Sequence, residues 1–198
     1  MTTKGKLVLV LGGANSGKSE FAEKLAATFG DRVLFVATGS PVDETMRLRI
    51  AQNRQRRPLT WRTLETGTNI ARSLAKEPPD EAVILLDSLS SIVSNLVLRA
   101  RSRDESGNEK IDATVGKRVA AEIDALLKWH GGAQKALVIV SDEVGMGLAS
   151  PDMPFAAEYA QLLAAQNRRI ADEAEEVYLM IAGMPLDLRK IGRSPDPA

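Results

Sequence analysis

The chain has no cysteine and a single histidine, His130. Without thiols there are no disulfides, thiolate–metal sites or cysteine nucleophiles. One imidazole also argues against a histidine-built metal centre. Charge of one sign is missing too: 26 Lys and Arg stand against 26 Asp and Glu. General nucleic-acid and membrane-surface binders normally carry a basic surplus, so neither partner is expected. No apolar run approaches the length of a bilayer span. The start, "MTTKGKLVLVLGG", holds a short apolar run that glycines and an Asn-Ser-Gly turn end, with no small-residue cleavage site. These absences lead us to expect a soluble, cytoplasmic protein with no membrane insertion.

What remains is the composition of a folded enzyme-sized domain. The 198 residues are 44% hydrophobic and 26% charged, enough to bury one core. Near-continuous apolar runs occur at 6–12, 32–38, 82–88, 136–142 and 176–183, each bounded by turn residues. Runs of that kind read as strands buried on both faces of a parallel sheet. Helical spacing of three and four fills Lys18–Phe29, Leu89–Arg101, Ala113–Trp129 and Phe155–Ala174. The alternation predicts an α/β fold with helices on both faces. We expect a single domain over 1–190 and a tail from 191 to 198. "RSRDESGNEK" (101–110) reads as a polar surface excursion, and Gly131-Gly132 as the close of the helix carrying His130.

The sharpest motif is "GGANSGKS", Gly12 to Ser19. It satisfies G-x-x-x-x-G-K-[ST] between a strand and a helix, the setting of a phosphate-binding P-loop. Backbone N–H groups of such a loop turn inward to phosphate oxygens, Lys18 adds a point charge, and Ser19 offers a hydroxyl to Mg²⁺. A partner acid for that ion should end an apolar strand, and "AVILLDS" supplies Asp87. As a plainer reading, Asp87 caps the helix that follows. Asp142 and Glu143 in "SDEVGMG" end another strand and face the same crevice; Glu143 is a candidate general base or metal contact. His130 reads as structural.

One short segment breaks the charge balance. "RIAQNRQRRP" carries Arg49, Arg54, Arg56 and Arg57, and no carboxylate occurs from Thr45 to Leu64. It reads as an anion-handling helix and loop, or more plainly as a solvated helix face.

In order, "LVLGGANSGKSEFAE", the "RI…RRPLTWRTLE" block, "AVILLDSLSSIVSNLV", "VIVSDEVGMGL" and the "AAQNRRIADEAEEVYLMIAGMPLDLRK" ending carry a resemblance. The chain resembles the bifunctional adenosylcobinamide kinase / adenosylcobinamide-phosphate guanylyltransferase family of cobalamin biosynthesis. The resemblance implies a P-loop NTPase with a RecA-like sheet, assembled as a homotrimer. It implies phosphorylation of the aminopropanol hydroxyl of adenosylcobinamide with ATP or GTP, then transfer of GMP from GTP to adenosylcobinamide-phosphate through a GMP-histidine. Nucleotide contacts are implied at Gly12, Gly13, Ala14, Asn15, Ser16, Gly17, Lys18 and Ser19. They are implied also at Ala37, Thr38, Gly39, Arg54, Gln55, Arg56, Arg57, Glu65 and Asp87, with Ser19 and Asp87 on Mg²⁺.

Two departures matter. Where the family pattern places its histidine, this chain has Asn53. An imidazole nitrogen can attack phosphorus; an amide nitrogen, its lone pair delocalised, cannot. No lysine lies between Arg32 and Leu74 to replace it. The second departure is Asp142, where the family reads Asn. A kinase-only enzyme and a nucleotide-binding homologue without catalysis are therefore weighed beside the bifunctional enzyme, as is an ATPase motor.

Overall fold

The computed structural model describes residues 5–39, 57–103, 109–145 and 154–192. Seven strands form the main sheet: β1 (Leu7–Gly12), β2 (Val33–Ala37), β3 (Arg62–Glu65), β4 (Val83–Asp87), β7 (Ala136–Asp142), β8 (Glu176–Ile181) and β9 (Met184–Asp187). Their order is β3-β2-β4-β7-β1-β8-β9, parallel except for the β8–β9 hairpin. The helices are α1 (Lys18–Phe29), α2 (Ile70–Lys76), α3 (Leu89–Arg99), α4 (Val115–Ala133), α5 (Pro154–Glu173) and the short α6 (Leu188–Ile191).

Strand alternation sorts the core into two layers. Leu7, Leu9, Leu34, Val36, Ile84, Leu86, Leu137 and Ile139 face one side, where α2 to α5 bring Ile70, Ile92, Val119 and Leu163. Val8, Val10, Phe35, Leu85, Val138 and Val140 face the other, against Ala22 and Ala26 of α1. Both sets are essentially fully buried, which is why the central strands carry no polar alternation. The α/β expectation, with helices on both faces, holds.

Three local expectations change. The described ends of the 101–110 stretch are strands: β5 (Arg101–Arg103) and β6 (Glu109–Ile111) pair antiparallel. Helix α4 does not close at Gly131-Gly132; it runs to Ala133, and Gln134 at φ 50° ends it. Tertiary contacts fix that end, since buried His130 donates from Nε2 to the Lys135 carbonyl at 3.0 Å and Lys135 Nζ donates to the Glu81 carbonyl at 2.7 Å. Finally, the cap of α3 is Ser88, whose Oγ accepts from Ser91 N at 3.3 Å. Asp87 is thereby left outside the helix, at the last position of β4.

Candidate active site

The carboxyl edge of the sheet collects the polar strand ends. Register places Glu65 beside Ala37, Ala37 beside Asp87, and Gly12 beside both Asp142 and Met180. The connection leaving β1 runs across the sheet to β2, and the one leaving its neighbour β7 runs the other way to β8, so the crevice opens between these two strands. From Gly12 the chain turns through Asn15 (φ 57°) and Gly17 (φ 88°) into α1. A left-handed Gly17 at the helix start costs nothing sterically, and it turns the α1 N–H groups toward the loop interior. Gly12 is needed for space: a Cβ there would lie 2.4 Å from Ser16 Oγ and 3.0 Å from Met180. The loop is tied down by Ser16 N donating to the Gly13 carbonyl (3.3 Å) and by Gly183 N donating to the Ser16 carbonyl (3.0 Å). Ser16 Oγ is buried and makes no hydrogen bond among the described residues. A phosphate oxygen could satisfy it.

Lys18 is folded over this loop. Its ammonium donates to the Gly13 carbonyl at 3.1 Å and lies 2.8 Å from Asp142 Oδ1, with only 10% of the side chain exposed. Across the crevice the half-buried carboxyl of Asp87 is pushed up by burial, against the opposing effects of a hydrogen bond with Ser19 and the charges of Lys18 and Arg57. Ser19 and Asp87 thus offer two hard oxygens to the same crevice, the donor type that Mg²⁺ takes. No group of three His, Asp or Glu among the described residues could hold a metal alone.

Over residues 8–188 the chain matches the family model for cobinamide kinase / cobinamide phosphate guanyltransferase. The chain belongs to that family. Among curated relatives, the bifunctional adenosylcobalamin biosynthesis protein CobP of Pseudomonas aeruginosa is 34% identical, over 91% of this chain and 96% of its own length. Proteins of the same description, CobU of Escherichia coli and of Salmonella typhimurium, are each 31% identical, over 92% of this chain and 99% of their own. Of solved structures, the RadB recombinase superposes with a TM-score of 0.48 at 12% identity, covering 90% of this chain and 75% of that one.

Within the chain, the residues expected from sequence distribute unevenly. Gly12 to Ser19, Ala37, Thr38, Gly39, Glu65 and Asp87 all lie on the carboxyl edge. Thr38 is fully buried: its Oγ1 donates to the Ser88 carbonyl and accepts from Ser88 N, each at 2.7 Å. It shapes the edge from within. Arg57 does not sit on a solvated face. Its side chain is 11% exposed, stacked with its guanidinium carbon 3.2 Å from the Phe35 ring centroid and its Nε 3.4 Å from Glu23. Glu143 turns its carboxylate back to accept from Gly145 N at 2.9 Å, while its own N–H donates to the Gly12 carbonyl. It is Asp142 that reaches Lys18. Asn53, Arg54, Gln55 and Arg56 fall outside the described residues.

Several contributors carried no signal of their own. Asn167 on α5 accepts from Ser141 Oγ at 2.6 Å and donates to the Asp142 carbonyl at 3.0 Å, anchoring the end of β7. Tyr159, whose hydroxyl is 3.4 Å from the Ser90 carbonyl, is pushed up to about 12 by burial and then by the charge of Asp142. Asn95 Nδ2 donates to the carbonyls of Thr38 and Gly67, both at 3.1 Å. The quoted "AAQNRRIADE" block contained Asn167, but only the fold shows which strand it holds.

Proposed function

We propose that this chain phosphorylates the aminopropanol hydroxyl of adenosylcobinamide, using ATP or GTP held over Gly12–Ser19. The observation that carries the reading is the convergence of Lys18, Ser19 and Asp87 on one strand-to-helix loop within a chain of this family. Gly13, Ala14, Asn15, Ser16 and Gly17 would offer backbone N–H groups to the β- and γ-phosphates, and Lys18 would follow the charge onto the transferring group. Ser19 and Asp87 would hold Mg²⁺, which supplies neutralisation of the phosphate oxygens. Ala37, Thr38, Gly39, Glu65 and Arg57 would form the nucleotide's other wall, with Glu143 beside the acceptor. Incubation with adenosylcobinamide, ATP and Mg²⁺ should give a product heavier by one phosphoryl group. Unchanged substrate that is demonstrably bound would refute a kinase.

The names of the relatives favour both activities over a kinase-only or non-catalytic homologue. With Asn53 unable to carry GMP, we infer direct guanylyl transfer. An oxygen of adenosylcobinamide-phosphate attacks the α-phosphorus of GTP, a P–O–P phosphoanhydride bond forms, the α–β anhydride of GTP breaks, and pyrophosphate leaves with the electron pair. Intact-mass measurement after GTP treatment should show no GMP adduct while adenosylcobinamide-GDP accumulates. An adduct would sink the direct route, and absence of the GDP product would sink the second activity. Among the described residues no helix is long and apolar enough to cross a membrane. We further propose a cytoplasmic homotrimer on the family likeness, which light scattering on the purified chain would test.

A further inference from the structure

Lys18 is the cation a polyphosphate needs, and it is already paired within the chain. Asp142 Oδ1 lies 2.8 Å from its ammonium and the Gly13 carbonyl 3.1 Å, so two of its three N–H groups are engaged. The backbone beneath the carboxylate is firmly held. Asp142 ends β7 in register with Gly12, its carbonyl is held by Asn167 at 3.0 Å, and Asn167 is itself held by buried Ser141. The next residue, Glu143, is tied through its N–H to Gly12 at 3.1 Å. With its backbone held, the carboxylate can move only through two short side-chain torsions, whereas the lysine stem has four rotatable bonds. The entering phosphates therefore meet a negative charge beside Lys18 and must take the lysine from it.

We propose that Asp142 is an internal competitor for the P-loop lysine, so that anion binding is an exchange of Lys18 from carboxylate to phosphate. The consequence is an affinity threshold. Every anion that uses Lys18 bears the same penalty, and only one with many further contacts, such as a nucleoside triphosphate, overcomes it comfortably. Inorganic phosphate, with few contacts, is kept out of the cradle. This reasoning deepens the nucleotide reading of Gly12–Ser19 and depends on it.

The test is calorimetric titration of ATP, GTP and pyrophosphate into the full chain and its Asp142→Asn and Asp142→Ala variants, with chelator and again with Mg²⁺. Asn keeps an oxygen for Lys18 but removes the charge; Ala removes both. Competition predicts that both variants bind all three ligands about five- to tenfold more tightly in chelator, the scale of one partly exposed ion pair. Thermal melts should show a larger ligand-induced shift in the variants than in the native chain. Equal or weaker binding by the variants in chelator would overturn the competitor role and make Asp142 an orienting group for Lys18. A loss confined to the Mg²⁺ arm, with no gain in chelator, would overturn it in favour of a metal contact. If neither the native chain nor a variant binds any of the three, the nucleotide reading itself falls, and the competitor with it.

Discussion

The two edges of the sheet use the same kinds of residue to opposite ends. At the amino edge, Arg62 at the start of β3 holds Glu81, just before β4, through two contacts of 2.9 and 3.3 Å; Lys135 Nζ closes on the Glu81 carbonyl and His130 on the Lys135 carbonyl. Arg62, Glu81 and Lys135 are each held by a partner within the chain. At the carboxyl edge, Lys18 is nearly as enclosed, yet it sits on a loop whose Ser16 hydroxyl has no hydrogen bond among the described residues and opposite an Asp87 that burial makes reluctant to ionise. An amino-edge group mutated away should cost stability and leave chemistry intact, whereas a carboxyl-edge group should cost chemistry first.

The largest break in that contrast comes from Lys18→Ala. Deleting a positioned cation that meets developing phosphoryl charge is expected to lower kcat by about 10²–10³-fold. The melting temperature should move by only a few degrees. Steady-state phosphorylation of adenosylcobinamide and a thermal melt on the same preparation check both halves. A loss of activity matched by collapse of the fold would erase the distinction between the edges.

Gly12→Ala should hurt on both counts, because Gly12 belongs to strand and loop together. Its Cβ would lie 2.4 Å from Ser16 Oγ and 3.0 Å from the Cβ and carbonyl oxygen of Met180. The Ser16 hydroxyl can rotate, but the Met180 backbone is fixed in the β1–β8 ladder. We expect a stability loss of about 1–3 kcal/mol, as for overpacking elsewhere. Nucleotide affinity should fall by at least tenfold as the loop shifts, roughly 1.4 kcal/mol or more. Denaturant unfolding and nucleotide titration separate the two.

What was legible in the sequence follows the same division between local and long-range physics. The five central strands announced themselves because burial on both faces forces continuous apolar runs such as "LVLVLG" and "VILLD". The edge strands did not. β3 is "RTLE" and β9 is "MPLD", half-exposed segments with no apolar run, and α2 is only seven residues long. In the site, the P-loop and Asp87 were readable since their chemistry is written in consecutive residues. The pairing of Asp142 with Lys18, the grip of Asn167 on the end of β7 and the tie from Gly183 to Ser16 join positions from 25 to 167 residues apart. Only the register of β7 and β8 beside β1 brings them together. Arg57 shows the same limit: its sequence neighbours allowed an anion-handling arginine or a solvated one, and only the fold shows it stacked on Phe35 beside Glu23.

The amino edge yields a smaller effect. Arg62→Ala leaves the Glu81 carboxylate, 5% exposed, without its fork of donors. Because the arginine itself is substantially solvated, the cost should be about 1–2 kcal/mol rather than that of a fully buried pair. Nucleotide affinity should stay within twofold of the native value. A larger change in affinity would mean that the two edges are coupled through β3 and β4.

The smallest expected effect is the pH dependence of that same pair, and its sign is fixed. The hydrogen bond from Arg62, more than any other influence, holds the Glu81 carboxyl below its ordinary value, and the arginine in turn is raised. A carboxyl depressed in the folded chain contributes stability that is fully present above its unfolded pKa, about 4.3. That stability is lost as pH falls through the lower, folded value. The arginine stays charged throughout this range and adds no slope. The stability gap between the native chain and Arg62→Ala should therefore be constant from neutral pH down to about pH 5 and narrow below it. Glu81→Gln, which never ionises, should show a flatter acid limb than the native protein. Denaturant midpoints measured between pH 7 and pH 3 would reveal this; a gap that widened on acidification would mean that another group, rather than Glu81, is the partner through which Arg62 stabilises the amino edge.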